Sequence, residues 1–247
     1  MQNNHLKNIS GLLVATFFVS TSGVLGKYIA MPSEVIVWFR SAFAMVFLYA
    51  FCRLKKIDIP LKSTKHVIPF IISAIFMALH WITYFYALKL SNVAIGMLSL
   101  FTFPVITALL EPLFAKTKLD PVHVFLGTMV LVGIYILSPE FNIKNSYVKR
   151  LLFGILSALC YALRNLILKR HVKNYNGTVL MLHQTIILTV LLIPVMFTME
   201  TSTIKTQFPY VIILALLTTA IGHSLFIHSL KYFSVSTASI IVSLQPI

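Results

Sequence analysis

Apolar runs long enough to cross a lipid bilayer follow one another along almost the whole sequence, separated by short polar gaps. A helix needs about 20 apolar residues to cross the hydrocarbon core. Because an open strand would leave backbone groups unpaired in lipid, we predict that each run is a helix. The predicted spans are 9–29, 34–52, 67–87, 93–114, 122–138, 151–168, 178–199 and 209–230, with a ninth run that begins near 234.

The composition excludes a water-soluble fold. Hydrophobic residues make up 58% of the 247 positions, charged residues only 11%, and the mean hydropathy is +0.91. A soluble chain carries about 25% charged residues. The predicted fold class is therefore an all-α polytopic membrane protein in a lipid bilayer. The net charge of +14 does not indicate a nucleic-acid partner, because the basic residues lie in the gaps between apolar runs.

The first apolar run has one alternative interpretation. A short polar segment with Lys7 precedes it, as in a secretory signal peptide. However, the run is longer than the usual core of about 7–15 residues, and a second run follows at once, so we interpret it as a retained helix. Cys52 and Cys160 lie within or at the ends of apolar runs and are interpreted as packing residues. The sequence predicts no metal site, no cofactor and no ATP-binding loop.

The lysine and arginine residues of the gaps predict an orientation. With the N-terminus in the cytoplasm, 12 of the gap cations fall on the inner side and 6 on the outer side. The segment 53–65 carries most of this bias, whereas 144–150 opposes it. The sequence thus predicts a multi-pass protein of the plasma membrane, the inner membrane in bacteria, with a cytoplasmic N-terminus.

The chain also contains an internal repeat. Two motifs align with an offset of 142 residues, so that Lys89 falls on Lys231 and Pro104 on Pro246. The motifs are ALKLSNVAIGMLSLFTFPVI (87–106) and SLKYFSVSTASIIVSLQPI (229–247). A nearly equal offset places GLLVATF (11–17) over GILSALC (154–160). The repeat unit would hold five spans, and an odd number of spans turns the second copy upside down relative to the first.

Inverted repeats of this kind are found in secondary transporters, with the solute site near the midplane between the halves. The predicted domains are 1–139, with helices one to five, and 149–247, with helices six to nine. The first unit continues past Pro104 for the rest of one helix and another full helix, whereas the second stops just after Pro246. We therefore expect ten helices in the full protein and about eight and a half in these 247 residues. A natural nine-span protein is the alternative.

Several stretches resemble the EamA-type members of the drug/metabolite transporter superfamily. They are TSGVLGKYI, EVIVWFRSAFAMVFL and YALKLSNVA followed by Pro104, echoed as HSLKYFSVS with Pro246. The resemblance covers essentially the whole chain and implies a ten-helix transporter built from two inverted five-helix repeats. Members of this family commonly carry Gly-Glu or Lys-Glu where this chain has Lys116 and Thr117.

Two arginines within the spans are the first candidates for solute binding. Arg40 lies in helix two and Arg164 near the middle of helix six, while no Asp or Glu lies comparably deep in a predicted span. Ionisable groups at such depth usually face a cavity or a partner. This imbalance favours a solute with a carboxylate or phosphate group held by guanidinium groups. Alternatively, Arg40 extends to the membrane surface and Arg164 binds helix-end carbonyls.

Histidine and aromatic residues complete the predicted site. His80 and Tyr84 are one helical turn apart beside Trp81, and the repeat offset places His223 over Trp81. Since histidine titrates near neutrality, one of these histidines is a candidate for coupling transport to protons. The alternative is a neutral histidine that makes one interhelical hydrogen bond. Tyr161 is a further candidate. The small polar residues 20–23 are interpreted as a site of close helix contact and as candidate cavity lining, and Asn165 and Gln184 are weaker candidates of the same kind.

The predicted function is secondary-active transport of a small metabolite by alternating access, as a permease or exporter. Pro104 and Pro246 would bend helices four and nine. A membrane-embedded enzyme is one alternative, but its histidines and acidic residues would cluster at one membrane surface. A channel or a non-transporting scaffold is the other. We expect no enzymatic activity.

Overall fold

The computed structural model describes residues 2–90, 99–115, 118–136, 146–197 and 204–245, and every regular element in these ranges is a helix. The helices are α1 Gln2–Tyr28, α2 Ser33–Leu54, α3 Val67–Leu90, α4 Phe103–Ala115, α5 Pro121–Ile136, α6 Ser146–Lys169, α7 Gly177–Leu191, α8 and α9 Val235–Val242. Helix α8 is continuous and has three segments: Ile204–Ile213, π-helical Leu214–His223 and Ser224–Ser229. Short 3₁₀ turns span Thr64–His66 and Ile193–Phe197.

Five helical stretches are long and apolar enough to cross a membrane: His5–Tyr28, Ser33–Leu54, Thr64–Leu90, Leu151–Lys169 and Thr206–Ser229. Helices α4 and α7 are shorter and also apolar. Large apolar side chains such as Phe17 and Ile68 face outward, with about two thirds of their surface exposed. An apolar exterior of this kind suits lipid rather than water. The predicted all-α polytopic fold is confirmed.

Two predicted apolar runs are interrupted in the structure. In the run 93–114, residues 99–100 are helical, a turn follows at Phe101 and Thr102, and α4 begins at Phe103, while 91–98 lie outside the described residues. The run 178–199 holds α7, which ends at Leu191 and gives way to a 3₁₀ turn. Pro194 within that turn has no backbone N–H to continue an α-helical ladder, which explains the early end.

The helices pack in pairs that join the first and second halves of the chain. Helix α3 lies along α6, and α1 lies along α8. Helices α2 and α7 form a third pair, and α4 and α9 a fourth. If the repeat offset is applied, the α3–α6 pair maps onto the α8–α1 pair, and the α2–α7 pair maps onto itself. A two-fold relation between the halves would produce this pairing.

Two lysines make the same contact in the two halves. The Nζ of Lys27, at the end of α1, donates to Leu88 O at 2.8 Å, at the end of α3. The Nζ of Lys169, at the end of α6, donates to Leu230 O at 2.6 Å, just after α8. Both residues and both acceptors are related by the offset of 142 positions found in the sequence. Each ammonium group thus satisfies carbonyls that a helix leaves unpaired at its C-terminus.

The contacts define two ends of the bundle. The Lys27 end contains the end of α1 and the start of α2, and there Trp38 Nε1 donates to Thr189 O of α7 at 3.1 Å. The Glu111 end contains the end of α4 and the start of α9.

Near α3 and α7 at this end, the rings of His66 and His171 lie 4.8 Å apart. Burial, with His66 and Arg170 nearby, lowers the pKa of His171, so this ring packs without charge at neutral pH.

Gly177, the first residue of α7, is essential to the packing of α7 on α8. A Cβ at this position would lie 2.7 Å from His228 N and 2.8 Å from Ser224 O, both backbone atoms of α8. We expect Gly177→Ala to lower the free energy of unfolding by about 1–3 kcal/mol, because the helix backbones must separate. Thermal unfolding in detergent measures this. Gly11→Ala is the matched control, since a Cβ at Gly11 meets nothing within 4 Å; equal melting temperatures for the two variants would contradict the expectation.

Candidate functional site

A small cavity lies at the centre of the bundle, enclosed by α1, α3, α4, α6, α8 and the residues after α9. Five of the eight predicted site residues contribute to its wall: His80, Trp81, Tyr84, Tyr161 and His223. The remaining lining residues are Val19, Ser22, Leu100, Phe103 and Gln245. The cavity volume is about 20 Å³, which is room for a single water molecule. A metabolite does not fit unless the surrounding helices move.

Arg40 of α2 lies just behind this wall. It is completely buried, and its Cζ lies 3.9 Å from the centroid of the Trp81 ring, so the guanidinium is stacked on the indole. Its Nε donates to Thr219 Oγ1 at 2.5 Å and its Nη2 to Thr218 Oγ1 at 2.8 Å. Ser22 Oγ lies 3.4 Å from Nη1, near the limit for a hydrogen bond. The alternative in which Arg40 extends to the membrane surface does not describe this position.

The two threonines that hold Arg40 lie in the π-helical segment of α8. Thr218 and Thr219 are consecutive, and both are fully buried. The wider winding of a π-helix lets neighbouring side chains reach one planar guanidinium that donates in two directions. Thr218 also donates its own proton to Leu214 O at 2.6 Å. The π-helical segment thus positions both the arginine and, at its end, His223 of the cavity wall.

Arg164 of α6 is likewise completely buried behind the wall. Its Nε and Nη2 donate to Gln184 Oε1 at 3.0 and 2.5 Å, and its Nη1 donates to Asn165 Oδ1 at 2.8 Å. Gln184 in turn donates to Ser73 Oγ at 3.0 Å, which links α6, α7 and α3. These partners are side chains rather than the helix-end carbonyls of the alternative interpretation.

Neither guanidinium forms a salt bridge within the part of the chain that the structure describes, where the ion pair found is His123 with Asp120. Among the described residues, every hydrogen-bond acceptor of Arg40 and Arg164 is neutral. Two positive charges therefore lie close to a cavity of apolar and aromatic character. Charges buried without opposite charges strongly favour an anion at the same depth.

Aromatic stacking shapes the wall between the two arginines. The rings of His80 and Tyr161 are stacked with centroids 4.4 Å apart, and Trp81 and His223 lie 5.5 Å apart. His80 Nδ1 lies 2.8 Å from Ser157 Oγ and 3.1 Å from Ser157 O. Because a carbonyl only accepts, this contact places a proton on Nδ1 and leaves Nε2 available to a solute or a proton.

Three buried polar atoms at or beside this wall have no hydrogen-bond partner among the described residues: Tyr161 Oη, Asn165 Nδ2 and His223 Nδ1. Buried polar groups are nearly always paired in folded proteins. Tyr161 and Asn165 are one turn apart on α6, share a face and interact with each other without a well-aligned hydrogen bond. Polar groups on one face next to a cavity can turn to oxygen atoms of a solute.

Pro104 and Pro246 are the two positions at which the sequence predicts bends within helices. Pro104 is the second residue of α4, where a proline has no intrahelical hydrogen bond to lose. The irregular backbone at this point is the turn at Phe101 and Thr102 just before α4. Pro246 lies outside the described residues.

The fold and the cavity define the class: the chain is an integral, multi-pass helical membrane protein. A family model described as "EamA-like transporter family" matches it twice, over residues 6–138 and 148–247. The chain belongs to the EamA-like transporter family, and thus to the drug/metabolite transporter superfamily that the sequence motifs resemble. It is a membrane transporter.

Two further similarities agree with this family. The chain is 25% identical over 246 residues to a Bacillus subtilis (strain 168) protein named "Uncharacterized transporter YxxF", covering 95% of this chain and 77% of the relative. A crystal structure described only as that of a protein has a TM-score of 0.73 with 19% identity, covering 98% of this chain and 83% of that one. At this identity the second similarity concerns the fold alone.

Proposed function

We propose that the protein is a secondary-active transporter, a permease or exporter, for a small metabolite with a carboxylate or another anionic group. The observation that carries this proposal is the pair of buried guanidinium groups, Arg40 and Arg164. In the part of the chain that the structure describes, their hydrogen bonds go to neutral side chains beside the central cavity. An anion in the cavity would complete their electrostatic environment, whereas a cation would be repelled by both. No covalent step is part of this proposal.

Alternating access is the mechanism that suits a site of this size. Drug-sized solutes occupy pockets of about 300–1,000 Å³, whereas the central cavity measures about 20 Å³. The cavity must therefore enlarge, and access from one side at a time keeps the gradient intact. The paired packing of α3 with α6 and of α1 with α8 supports two inverted halves that move against each other, with boundaries at 1–139 and 149–247.

The orientation and the coupling ion belong to the same proposal. We place the N-terminus in the cytoplasm because 12 of the gap cations then fall on the inner side and 6 on the outer side, with most of this bias in the exposed cations of 53–65. The membrane would be the inner membrane of a bacterium. His80 Nε2 and the unpaired Nδ1 of His223 lie at the cavity and could each bind a proton together with the solute.

Uptake into proteoliposomes tests the proposal directly. The full-length protein is reconstituted and offered radiolabelled monocarboxylates, phosphate esters, neutral sugars and amines, with and without a pH gradient. We expect saturable uptake of an anionic solute, faster with the gradient, and none of the amines. Empty liposomes and liposomes with heat-denatured protein are the controls. Saturable transport of amines alone would refute the anionic solute, and gradient-independent uptake would refute coupling to protons.

A further inference from the structure

We propose that the carboxylate of Glu111 is the latch that holds the Glu111 end of the passage closed, by binding the N-terminus of α9 across the two halves. Glu111 belongs to the last turns of α4 in the first half of the chain. Its Oε1 accepts from Val235 N at 2.7 Å, and its Oε2 accepts from Ser236 N at 2.9 Å and from Ser236 Oγ at 2.5 Å. The proposal rests on the alternating-access function proposed above.

The backbone donors at the start of α9 depend on this contact. A helix leaves its first N–H groups without intrahelical acceptors. At α9, the N–H of Thr237 is satisfied within the second half by the N-cap residue Ser234, at 3.0 Å. The N–H groups of Val235 and Ser236 have Glu111 as their acceptor. If Glu111 leaves, two backbone donors and one hydroxyl group lose a charged acceptor at once.

The negative charge of Glu111 does not stabilise its own helix, α4. A carboxylate near a helix C-terminus meets the negative end of the helix dipole, whereas at a helix N-terminus it meets the positive end. Glu111 lies four residues before α4 ends at Ala115, yet it reaches the N-terminus of α9. Three charge-assisted hydrogen bonds outweigh the unfavourable dipole at α4. This carboxylate therefore stabilises the contact between the two halves and not its own helix.

A neighbouring lysine shows which contacts would survive opening. Lys169 Nζ donates to Leu230 O and Phe233 O, at 2.6 and 2.8 Å, and thus binds the link between α8 and α9. Since Lys169 and this link belong to the same half, their contact moves with that half. Glu111 belongs to the other half, so its hydrogen bonds break when the halves separate at this end.

The sealed contact continues one turn further into the bundle. Ser239 Oγ of α9 lies 3.5 Å from Thr107 Oγ1 of α4, and both residues are fully buried. Small residues on both helices allow this close approach. Between this contact and the surface at the Glu111 end, a cavity of about 360 Å³ is lined by Glu111, Lys169 and Ser236 among others. If the hydrogen bonds of Glu111 break, this cavity would connect with the interior of the bundle.

Cysteine labelling tests the latch without any solute. Ser239→Cys is the reporter, in a background with Cys52→Ala and Cys160→Ala, and a membrane-impermeant maleimide is added to vesicles of either orientation. We expect Glu111→Gln to raise the labelling rate from the N-terminal side at least about tenfold, because the amide presents N–H groups to the N–H donors of α9. Glu34→Gln is the matched control, a carboxylate at the Lys27 end that accepts from Tyr86 Oη; its rate should equal that of the parent.

The outcomes separate a latch from a merely structural cap. Ser236→Ala removes one of the three donors and should give a rate between the parent and Glu111→Gln; it also tests the latch if Glu111→Gln does not fold. A lower melting temperature with unchanged labelling in both variants would refute the latch. Faster labelling only from the side opposite the N-terminus would also refute the latch, because the start of α1 lies at the Glu111 end, where His5 contacts Phe233. Since no solute is present, a response here stands even if the uptake experiment fails.

Discussion

Replacement of Arg40 by alanine is expected to reduce the initial rate of solute uptake at least about a hundredfold. The substitution removes the guanidinium that Thr218 and Thr219 orient and that is stacked on Trp81, and with it the proposed charge-assisted contact with an anionic solute. A hydrogen bond to a charged group contributes about 1.5–3 kcal/mol, and about 1.4 kcal/mol corresponds to a factor of ten. The measurement is uptake of the identified solute into proteoliposomes, normalised to correctly folded protein by size-exclusion chromatography.

Two further variants of α2 make the result for Arg40 interpretable. Arg40→Lys keeps the charge but lacks the planar group that reaches two threonines, so we expect partial uptake. Arg53→Ala is the matched control, because Arg53 is on the same helix and is exposed at its end; it should behave as the parent. If Arg40→Ala transports at the parental rate, Arg40 has no role in solute binding.

The second large effect is expected for Arg164. We expect Arg164→Ala to abolish detectable uptake while the protein still folds, because Gln184 can keep its hydrogen bond to Ser73. If Gln184 acts by holding Arg164, Gln184→Leu should impair uptake alone but add nothing to Arg164→Ala. A double-mutant cycle on uptake rates measures this coupling. Lys173→Ala, an exposed cation in the turn after α6, is the control. Fully additive effects would place Gln184 outside the arginine site.

Much of this site could be anticipated from helical spacing and the repeat. His80, Trp81 and Tyr84 share a short stretch of α3, and the offset that aligns Trp81 with His223 places two residues at a similar depth. In the structure the rings of Trp81 and His223 lie 5.5 Å apart, and all four residues line one cavity. Spacing succeeds here because regular α-helices in lipid relate residue number directly to depth.

The partners of the arginines were not predictable in the same way. The sequence predicts Arg40 and Arg164 at the site, but in the structure both lie behind the cavity wall. Thr218 and Thr219, which bind Arg40, are not predicted. Their convergence on Arg40 depends on π-helical winding, which changes the angle between successive residues and leaves no periodic signal in a single sequence. Two adjacent threonines in an apolar helix were the only available sign.

The matching lysine caps have a consequence for how the chain enters the membrane during synthesis. Lys27 and Lys169 each bind helix-end carbonyls, but they do so at opposite ends of the bundle. When the positive residues on the two sides of the membrane are counted, these two lysines contribute one to each side and favour neither orientation. A five-helix unit with such a lysine can make the same contact in either orientation. The direction of insertion is then decided by a few cations in one loop, such as Arg53, Lys55 and Lys56, which remain exposed to water.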